Sequence, residues 1–294
     1  MSEIRIDALL PAEMATRAEY IGVRKAEMPA VTMFMLSVLA GAFIALGAIF
    51  ATTVSAGSMA ITAADGTAAF STGLPYGFVR LLTGMVFCLG LILVVVGGAE
   101  LFTGNNLIVM AWASGKVTTT ALLRNWAIVY FGNFVGSTAT AALMFFTKQY
   151  TFGANAIGIA ALKTAVAKCD LTFIQAIALG VLCNALVCLA VWMTFSARTT
   201  IDKIAVIIFP ITAFVAAGFE HSIANMYFIP YALFIKGFDP DFITKVTDKV
   251  PGLEKLTWSA FFVNNLIPVT IGNIIGGAVL VAAIYWAIFL RNKK

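Results

Sequence analysis

The sequence predicts an all-α membrane protein with six transmembrane helices, arranged as two inverted three-helix repeats in which helices two and five are broken. Three observations support this fold class. Of the 294 residues, 61% are hydrophobic and only 11% are charged, with a mean hydropathy of +0.96. Six apolar runs are long enough to cross a bilayer. Two of these runs contain the same interruption.

The six apolar runs lie near residues 30–53, 76–113, 119–146, 172–196, 204–235 and 259–290. Before them, residues 1–28 are charged and amphipathic and lack a signal-peptide pattern, so we expect this segment in the cytoplasm. Residues 29–290 form the predicted six-span transmembrane domain. Six crossings return the basic tail, residues 291–294, to the same side, and a weak excess of Lys and Arg favours that orientation.

The second run is too long for one straight crossing. As a single helix, residues 76–113 would extend about 57 Å, well beyond the thickness of the hydrocarbon core. Glycines and asparagines, which leave helices easily, interrupt the run at Gly97, Gly98, Gly104, Asn105 and Asn106. We therefore expect a break in this helix.

The fifth run repeats the interruption. GAELFTGN (98–105) and GFEHSIAN (218–225) share the pattern Gly, any residue, Glu, four residues, Asn. Each is followed by a second shared motif, GNFVG (132–136) and GNIIG (272–276). Two successive sets of three spans have opposite orientations, so a duplication here is an inverted repeat, and broken helices at equivalent positions predict a permeation site near the bilayer midplane.

His221 is the only histidine of the chain and lies in the second interruption. An ionisable group at this depth costs a few kcal/mol on insertion scales, so its default interpretation is a residue of a permeation pathway. The alternative is an imidazole that is hydrogen-bonded inside the helix bundle. On the first interpretation, a neutral imidazole donates a hydrogen bond to an entering anion.

Glu100 and Glu220 occupy equivalent positions in the two interruptions. They fit a proton relay or a cation site, but a structural role is favoured, in which each carboxylate accepts backbone amides freed where its helix breaks. Asn105 and Asn225 accompany them in both copies, which indicates a shared structural problem at both breaks.

Four other polar residues have two interpretations each. Thr103 offers a hydroxyl to the pathway or caps the half-helix that starts near Asn105. Asn184 and Asn273 bridge helices or line a pore. Lys168, just before the fourth span, attracts anions toward an entrance or only extends its ammonium group to the membrane surface.

Several function classes are excluded or disfavoured. The net charge of +5 is not clustered as in nucleic-acid-binding proteins. No nucleophile, base and orienting acid come together in a motif, so we expect no catalytic residues, cofactor or metal. A channel for neutral solutes lacks the paired Asn-Pro-Ala motifs of water channels, and a signalling protein would need an effector domain. The cysteines lack CxxC spacing and are expected to pack helices: Cys88, Cys169, Cys183 and Cys188.

The chain resembles the formate/nitrite transporters. The resemblance rests on four segments: GGAELFTGN (97–105), GVLCNALVCLA (180–190), GFEHSIANMYFIP (218–230) and NNLIPVTIGNIIGG (264–277). It covers the chain from PAEMA near the start to YWAIFLR near the end, and the TGN and EHSIANM segments are most similar to the formate channel branch.

The resemblance implies an aquaporin-like fold that assembles as a homopentamer, with one pore per subunit. It implies a multi-pass protein of the inner membrane with both termini in the cytoplasm. The expected partners are membrane lipid, protons and a small monovalent weak-acid anion, formate first and then nitrite, acetate, lactate or hydrosulfide. The anion would pass by proton-coupled or neutral-acid permeation at a central histidine.

Residue by residue, the resemblance makes His221 the central histidine and Thr103 the loop residue that faces it. Asn184 and Asn273 match asparagines near the histidine, and Lys168 matches a lysine that draws anions into the vestibule. The apolar constrictions match Leu91, Leu101, Phe102 and Phe214. Two features depart from the family pattern: TGN replaces the TST of some formate channels, and the loop near 236–257 is longer than in compact members.

Overall fold

The computed structural model describes residues 7–57, 61–62, 68–70 and 74–292. Residues 1–6 of the predicted N-terminal segment and residues 293–294 of the predicted tail lie outside the described residues. The α-helices are α1 (Pro11–Ala26), α2 (Ala30–Ala56), α3 (Tyr76–Gly97), α4 (Phe102–Asn105), α5 (Val109–Ala113), α6 (Thr119–Phe146), α7 (Ala156–Cys169), α8 (Phe173–Ser196), α9 (Thr200–Ala217), α10 (Ser222–Phe238), α11 (Pro240–Val246), α12 (Trp258–Ala260), α13 (Ile267–Ile274) and α14 (Ile284–Phe289).

Short elements complete the chain. Two antiparallel strands, β1 (Ile61–Thr62) and β2 (Ala68–Phe70), lie between α2 and α3. The 3-10 turns are Asn106–Ile108, Gln149–Thr151, Thr247–Lys249 and Leu253–Lys255. Two π-helical segments, Phe261–Leu266 and Ile275–Ala283, connect α12, α13 and α14 into one continuous helix. Widened turns of this kind occur mostly within α-helices and often near functional sites.

The six predicted spans are confirmed. Six helices in the described part of the chain are long and apolar enough to cross a membrane: Ala30–Ala56, Tyr76–Gly97, Thr119–Phe146, Phe173–Ser196, Thr200–Ala217 and Trp258–Phe289. The second and fifth spans are broken, as predicted. The second continues after its break as α4, a 3-10 turn and α5, and the fifth continues as α10.

The two halves have the same order of elements. Each begins with a short helix, α1 or α7, and continues with a full span, α2 or α8. A broken span follows, and a third span closes the half as α6 or as the continuous helix 258–289. The short helix α7, in the connection between the third and fourth spans, was not predicted from the sequence. Each repeat therefore contains a short helix in addition to its three spans.

Glycines bring equivalent spans of each half into backbone contact. A Cβ placed on Gly136 of α6 would lie 1.9 Å from the carbonyl oxygen of Val38 in α2. A Cβ on Gly276 would lie 2.1 Å from the carbonyl oxygen of Val181 in α8. Small residues allow this close approach, which supplies much of the packing between helices in membranes. The first half thus packs α2 against α6 in the same way as the second half packs α8 against the continuous helix 258–289.

The segment 236–257, predicted as a hydrophilic loop, is folded. It contains α11 and two 3-10 turns. Lys236 at its start donates to the carbonyl oxygens of Leu253 and Leu256, at 2.8 and 2.7 Å. The segment is thus closed on itself near the end of α10. All four cysteines are free and buried, in agreement with a packing role.

Candidate functional site

Both broken spans leave their first half-helix through a glycine in the left-handed region. Gly98 follows α3 with φ of 77°, and Gly218 follows α9 with φ of 78°. Glycine adopts this conformation without the steric cost that a Cβ brings. In each case the next residue donates its N–H to the carbonyl five positions earlier, at 2.9 and 3.0 Å, which is a common helix C-cap. Residues 98–101 and 218–221 form a short non-helical segment before the next half-helix begins.

Asn133 closes the gap in the first half. Its Oδ1 accepts the N–H of Phe102 at 2.9 Å, and its Nδ2 donates to the carbonyls of Glu100 at 2.9 Å and Ser37 at 2.7 Å. The side chain is fully buried. One amide thus satisfies backbone groups on both sides of the break, which cannot reach water in the membrane interior.

Asn273 does the same in the second half. Its Oδ1 accepts the N–H of Ser222 at 2.9 Å, and its Nδ2 donates to the carbonyls of Glu220 at 2.9 Å and Gly180 at 2.8 Å. Asn184 supports it from α8, because its Nδ2 donates to the carbonyls of Asn273 at 2.7 Å and Thr103 at 3.3 Å. Both asparagines therefore bridge elements, which was one of the two interpretations left open for them.

Glu100 lies at the centre of a buried polar cluster. Its Oε1 accepts from the ammonium of Lys25 at 2.7 Å, and its Oε2 accepts from Nδ2 of Asn105 at 2.7 Å. Asn105 also donates to Oδ1 of Asn125 at 3.0 Å, and Asn125 in turn donates to the carbonyl of Lys25 at 3.0 Å. The four side chains join α1, the break and α6.

Glu220 lies in an equivalent cluster. Its Oε1 accepts from the ammonium of Lys168 at 2.7 Å, and its Oε2 accepts from Asn225 at 2.7 Å and Asn265 at 3.1 Å. Asn265 also donates to the carbonyl of Lys168 at 3.0 Å. The expectation that the glutamates accept backbone amides freed at the breaks is wrong in this detail. The amides of Phe102 and Ser222 bind asparagines instead, and the glutamates bind lysine and asparagine side chains.

His221 is 3% exposed, and both of its ring nitrogens are engaged. Nδ1 accepts the backbone N–H of Ala224 at 3.1 Å and so caps the start of α10. Nε2 lies 3.0 Å from Oγ1 of Thr103 in the other half. An amide N–H can only donate, so Nδ1 is the acceptor and a neutral ring has its proton on Nε2. The ring then donates to Thr103, and the hydroxyl proton of Thr103 is left for another acceptor.

Two cavities with no residue in common lie at the breaks. The first, here the His221 cavity, has a volume of about 390 Å³, and its wall includes His221, Phe214, Lys168 and Glu220. The second, here the Leu101 cavity, has a volume of about 260 Å³, and its wall includes Leu91, Leu101, Lys25 and Glu100. Each is lined by three cationic side chains and one carboxylate. In the His221 cavity these are Arg80, Lys163, Lys168 and Glu220. In the Leu101 cavity they are Arg17, Lys25, Lys203 and Glu100.

The four predicted constriction residues are all buried but lie in different places. Leu91 and Leu101 line the Leu101 cavity, and Phe214 lines the His221 cavity, with its ring 5.9 Å from the imidazole of His221. Phe102 lines neither cavity. Its ring packs edge-on against Trp126 and Tyr130, at 5.9 and 4.9 Å between ring centroids.

Lys168 lines the His221 cavity but is not free. Its side chain is 14% exposed, is paired with Glu220, and lies 5.5 Å from the centroid of the Phe228 ring. An anion in this cavity therefore meets an ammonium whose charge is already largely balanced.

Four side chains that support the two breaks were not predicted from the sequence: Lys25, Asn125, Asn133 and Asn265. The signals were present. KAE at 25–27 and KCD at 168–170 share a lysine two positions before an acid. Both halves also contain Asn, six residues, Gly, Asn, at 125–133 and 265–273. The described residues contain no group of three or more His, Cys, Asp or Glu side chains that could hold a metal ion.

Comparisons with known proteins agree with this geometry. A family model described as formate/nitrite transporter matches residues 12–287. The chain is 46% identical to the formate channel FocA of Escherichia coli strain K12, over 98% of this chain and 96% of that one. It is 41% identical to the formate channel FocA of Haemophilus influenzae, over 93% and 92% of the two chains.

A solved structure described as a pentameric formate channel with formate bound is also similar. It matches with a TM-score of 0.78 and 45% identity, and covers 89% of this chain and 98% of that chain. The family match and these relatives extend over nearly the whole sequence, including both breaks. The chain belongs to the formate/nitrite transporter family.

Proposed function

We propose that the protein is a membrane channel for small monovalent weak-acid anions, with formate as the first substrate and nitrite, acetate, lactate or hydrosulfide as alternatives. The observation on which the proposal depends is the buried pair His221–Thr103, one residue from each half, with His221 in the wall of a cavity that also has cationic side chains. The similarity to formate channels supports formate over the other anions.

The physical problem is the charge of the substrate. Moving a bare carboxylate into an apolar environment is costly enough that such groups tend to be neutralised instead. Cationic walls concentrate the anion in a cavity, and loss of water near Phe214 or Leu101 favours the neutral acid over the anion. The substrate then passes the buried pair as the acid, with the hydroxyl of Thr103 as a hydrogen-bond donor.

The hydrogen bonds of His221 restrict how a proton reaches the substrate. A neutral ring that gives up its Nε2 proton must receive one at Nδ1 in the same event, because an imidazolate is otherwise left. Nδ1 is engaged by Ala224. We therefore propose that His221 orients Thr103 and the substrate through Nε2–H, and that the transferred proton comes from the bulk solution and reaches the substrate through water, which leaves no hydroxide at the site.

The remaining expectations are part of the same proposal. We propose that the protein is not an enzyme and that it assembles as a homopentamer with one pore per subunit, as the solved relative is described to do. We place it in the inner membrane with both termini in the cytoplasm. Residues 1–28, 29–290 and 291–294 are then a cytoplasmic segment, the channel domain and a basic tail.

Uptake by purified protein in proteoliposomes tests the function. Formate, nitrite, lactate, glycerol and water are compared with and without a pH gradient. We expect formate uptake that increases when the outside is acidified, and His221→Asn should change or abolish that pH dependence. Glycerol conduction without anion uptake would overturn the proposal, and an unchanged uptake rate together with an unchanged pH profile in His221→Asn would leave the histidine a packing residue.

A further inference from the structure

We propose that Arg80 strengthens anion binding on the His221 side, because its guanidinium cancels the negative end of a half-helix that would otherwise repel the substrate. This inference rests on the proposed anion channel function. Arg80 lies in the second turn of α3 and lines the His221 cavity together with Phe214, Val215 and Gly218.

The broken fifth span leaves a helix C-terminus inside the protein. α9 ends at Ala217; the N–H groups of Gly218 and Phe219 donate to the carbonyls of Val215 and Phe214, and the carbonyls after Val215 lie beyond the regular helical hydrogen bonds. The aligned peptide dipoles place about half a negative charge at such an end. Val215 and Gly218 line the cavity that contains His221, so this negative end adjoins the space that the anion enters.

Arg80 binds these carbonyls directly. Its Nε donates to the carbonyl oxygen of Ala216 at 3.0 Å, and its Nη2 donates to that of Val215. A full positive charge on a half-negative helix end leaves the end positive. Capping by a cation therefore changes the sign of the field at this wall of the cavity.

The position of Arg80 is fixed by the packing of α3 on α9. Gly84, one turn later in α3, lies so close to Thr212 that an added Cβ would be 2.6 Å from the Thr212 carbonyl oxygen. The backbone of α3 is thus held against α9, and the arginine extends along it to the end of the half-helix. The contact does not depend on a flexible loop.

The other half has no such cap. In the part of the chain that the structure describes, no side chain donates to the carbonyls at positions 95–97, at the end of α3. On the His221 side, Lys168 is paired with Glu220, so Arg80 and Lys163 supply the net positive charge of the cavity wall. Arg80 is the one of these two that contacts the broken helix.

The test compares two Arg80 variants in proteoliposomes. Arg80→Gln removes the charge and keeps a hydrogen-bond donor, and Arg80→Lys keeps the charge and loses the two-carbonyl geometry. Initial rates of formate uptake are measured against formate concentration at low ionic strength. Lys249→Gln is the matched control, since it removes an equal charge from a residue that lines neither cavity.

We expect Arg80→Gln to raise the half-saturating formate concentration by about five- to tenfold, with the maximal rate changed by less than about twofold. Added salt should reduce the difference from wild type. Arg80→Lys should stay within about twofold of wild type, and Lys249→Gln should not differ from it. A cap with only a structural role would instead lower the maximal rate or the yield of folded protein in both Arg80 variants.

Each outcome decides the inference. A wild-type protein that takes up no anion would overturn the proposed function first. With a transporting wild type, an unchanged half-saturating concentration in Arg80→Gln would overturn the role of Arg80 alone. If Arg80→Gln does not assemble, Arg80→Lys decides: a wild-type half-saturating concentration supports the inference, and one raised fivefold or more overturns it.

Discussion

The two halves of the molecule build the same support around their breaks and place different side chains at its centre. The support is a lysine, a glutamate and three asparagines: Lys25, Glu100, Asn105, Asn125 and Asn133 in the first half, and Lys168, Glu220, Asn225, Asn265 and Asn273 in the second. The distances agree within a few tenths of an ångström. The backbone problem of a broken helix in lipid therefore has one solution, used twice.

The difference appears next to the glutamates. His221 has Leu101 as its equivalent in the other half, and Thr103 has Ile223. All four side chains are buried. The polar pair thus contains one residue from each half, and the two remaining positions are apolar. The two halves share their supporting side chains and differ at two equivalent positions, and together these features form the proposed site at His221 and Thr103.

The largest expected effect comes from removing the asparagines that close the breaks. Asn133→Leu and Asn273→Leu each remove three hydrogen bonds and leave buried amide and carbonyl groups without partners, at a cost of about 3 kcal/mol or more. Thermal unfolding in detergent should show similar losses for both. Asn264→Leu is the control, because this exposed residue makes a single 3.4 Å bond. A wild-type melting temperature for one variant only would show that the halves do not share this support.

Loss of the lysine from each buried ion pair should destabilise the protein to a different extent in the two halves. Lys168 is 14% exposed and Lys25 is 27% exposed, while their glutamates are about equally buried. Lys168→Met leaves an uncompensated buried carboxylate and should cost about 3 kcal/mol. Lys25→Met should cost less, because water reaches its cluster more easily.

The same unfolding measurement checks this difference, and the double variant Lys168→Met/Glu220→Gln should recover part of the loss. Equal losses for the two lysine variants, or no recovery in the double variant, would contradict the expected role of burial.

The polar pair itself should affect transport more than stability. Thr103→Val removes the hydroxyl that lies 3.0 Å from His221. One hydrogen bond contributes about 1 kcal/mol, so we expect formate uptake to fall about fivefold. Ile223→Val, at the equivalent position of the other half, is the control and should transport at close to the wild-type rate. Equal effects of the two variants would mean that the hydroxyl has no special role.

The smallest expected effect concerns a surface contact between the halves. Lys148, after α6, and Tyr150 both bind Asp239, after α10, at 2.9 and 2.5 Å. The ammonium of Lys148 and then the hydroxyl of Tyr150 lower the pKa of Asp239 to about 2. The folded-state pKa is below its usual value of 3.8, so the contact stabilises the protein above about pH 4, and this contribution is lost as the pH falls toward 2.

Melting temperatures measured from pH 5 to pH 2 check this contact. Lys148→Met should lower the melting temperature by about 1 °C at pH 5, and the difference from wild type should disappear near pH 2. Lys255→Met, which removes an exposed pair with Asp170 inside the second half, is the control. A difference that stays constant with pH would rule out the titration of Asp239 as its cause.

Much of the fold could be predicted from the sequence, because spans in lipid need long apolar runs and breaks need residues that leave helices. The six spans followed from the apolar runs, and both breaks and the repeat followed from Gly98, Gly218 and the motifs after them. The helix α7 was missed, since its residues are short of a full crossing. So were the widened turns of the last span, which no residue pattern in 258–289 indicates.

The site was harder to predict because its contacts join distant parts of the chain. Thr103 and His221 are 118 positions apart, and only the folded repeat brings them to 3.0 Å. The role of Asn133 was missed for the same reason, although its GNFVG motif had been noticed. Glu100 and Glu220 bind Lys25 and Lys168, and the shared KAE and KCD patterns mark these lysines as equivalent without showing that they reach the glutamates. The family resemblance paired Thr103 with His221 in advance, whereas the residue patterns located the other polar side chains without showing which of them are in contact.

One consequence follows for any protein assembled from two copies of a single half. Two first halves would surround the central point with two leucines and two threonines, and two second halves would surround it with two imidazoles and two isoleucines. Only a chain whose halves differ at 101, 103, 221 and 223 sets one ring against one hydroxyl. Two halves of different sequence in one polypeptide allow that unequal arrangement, which two identical halves cannot form.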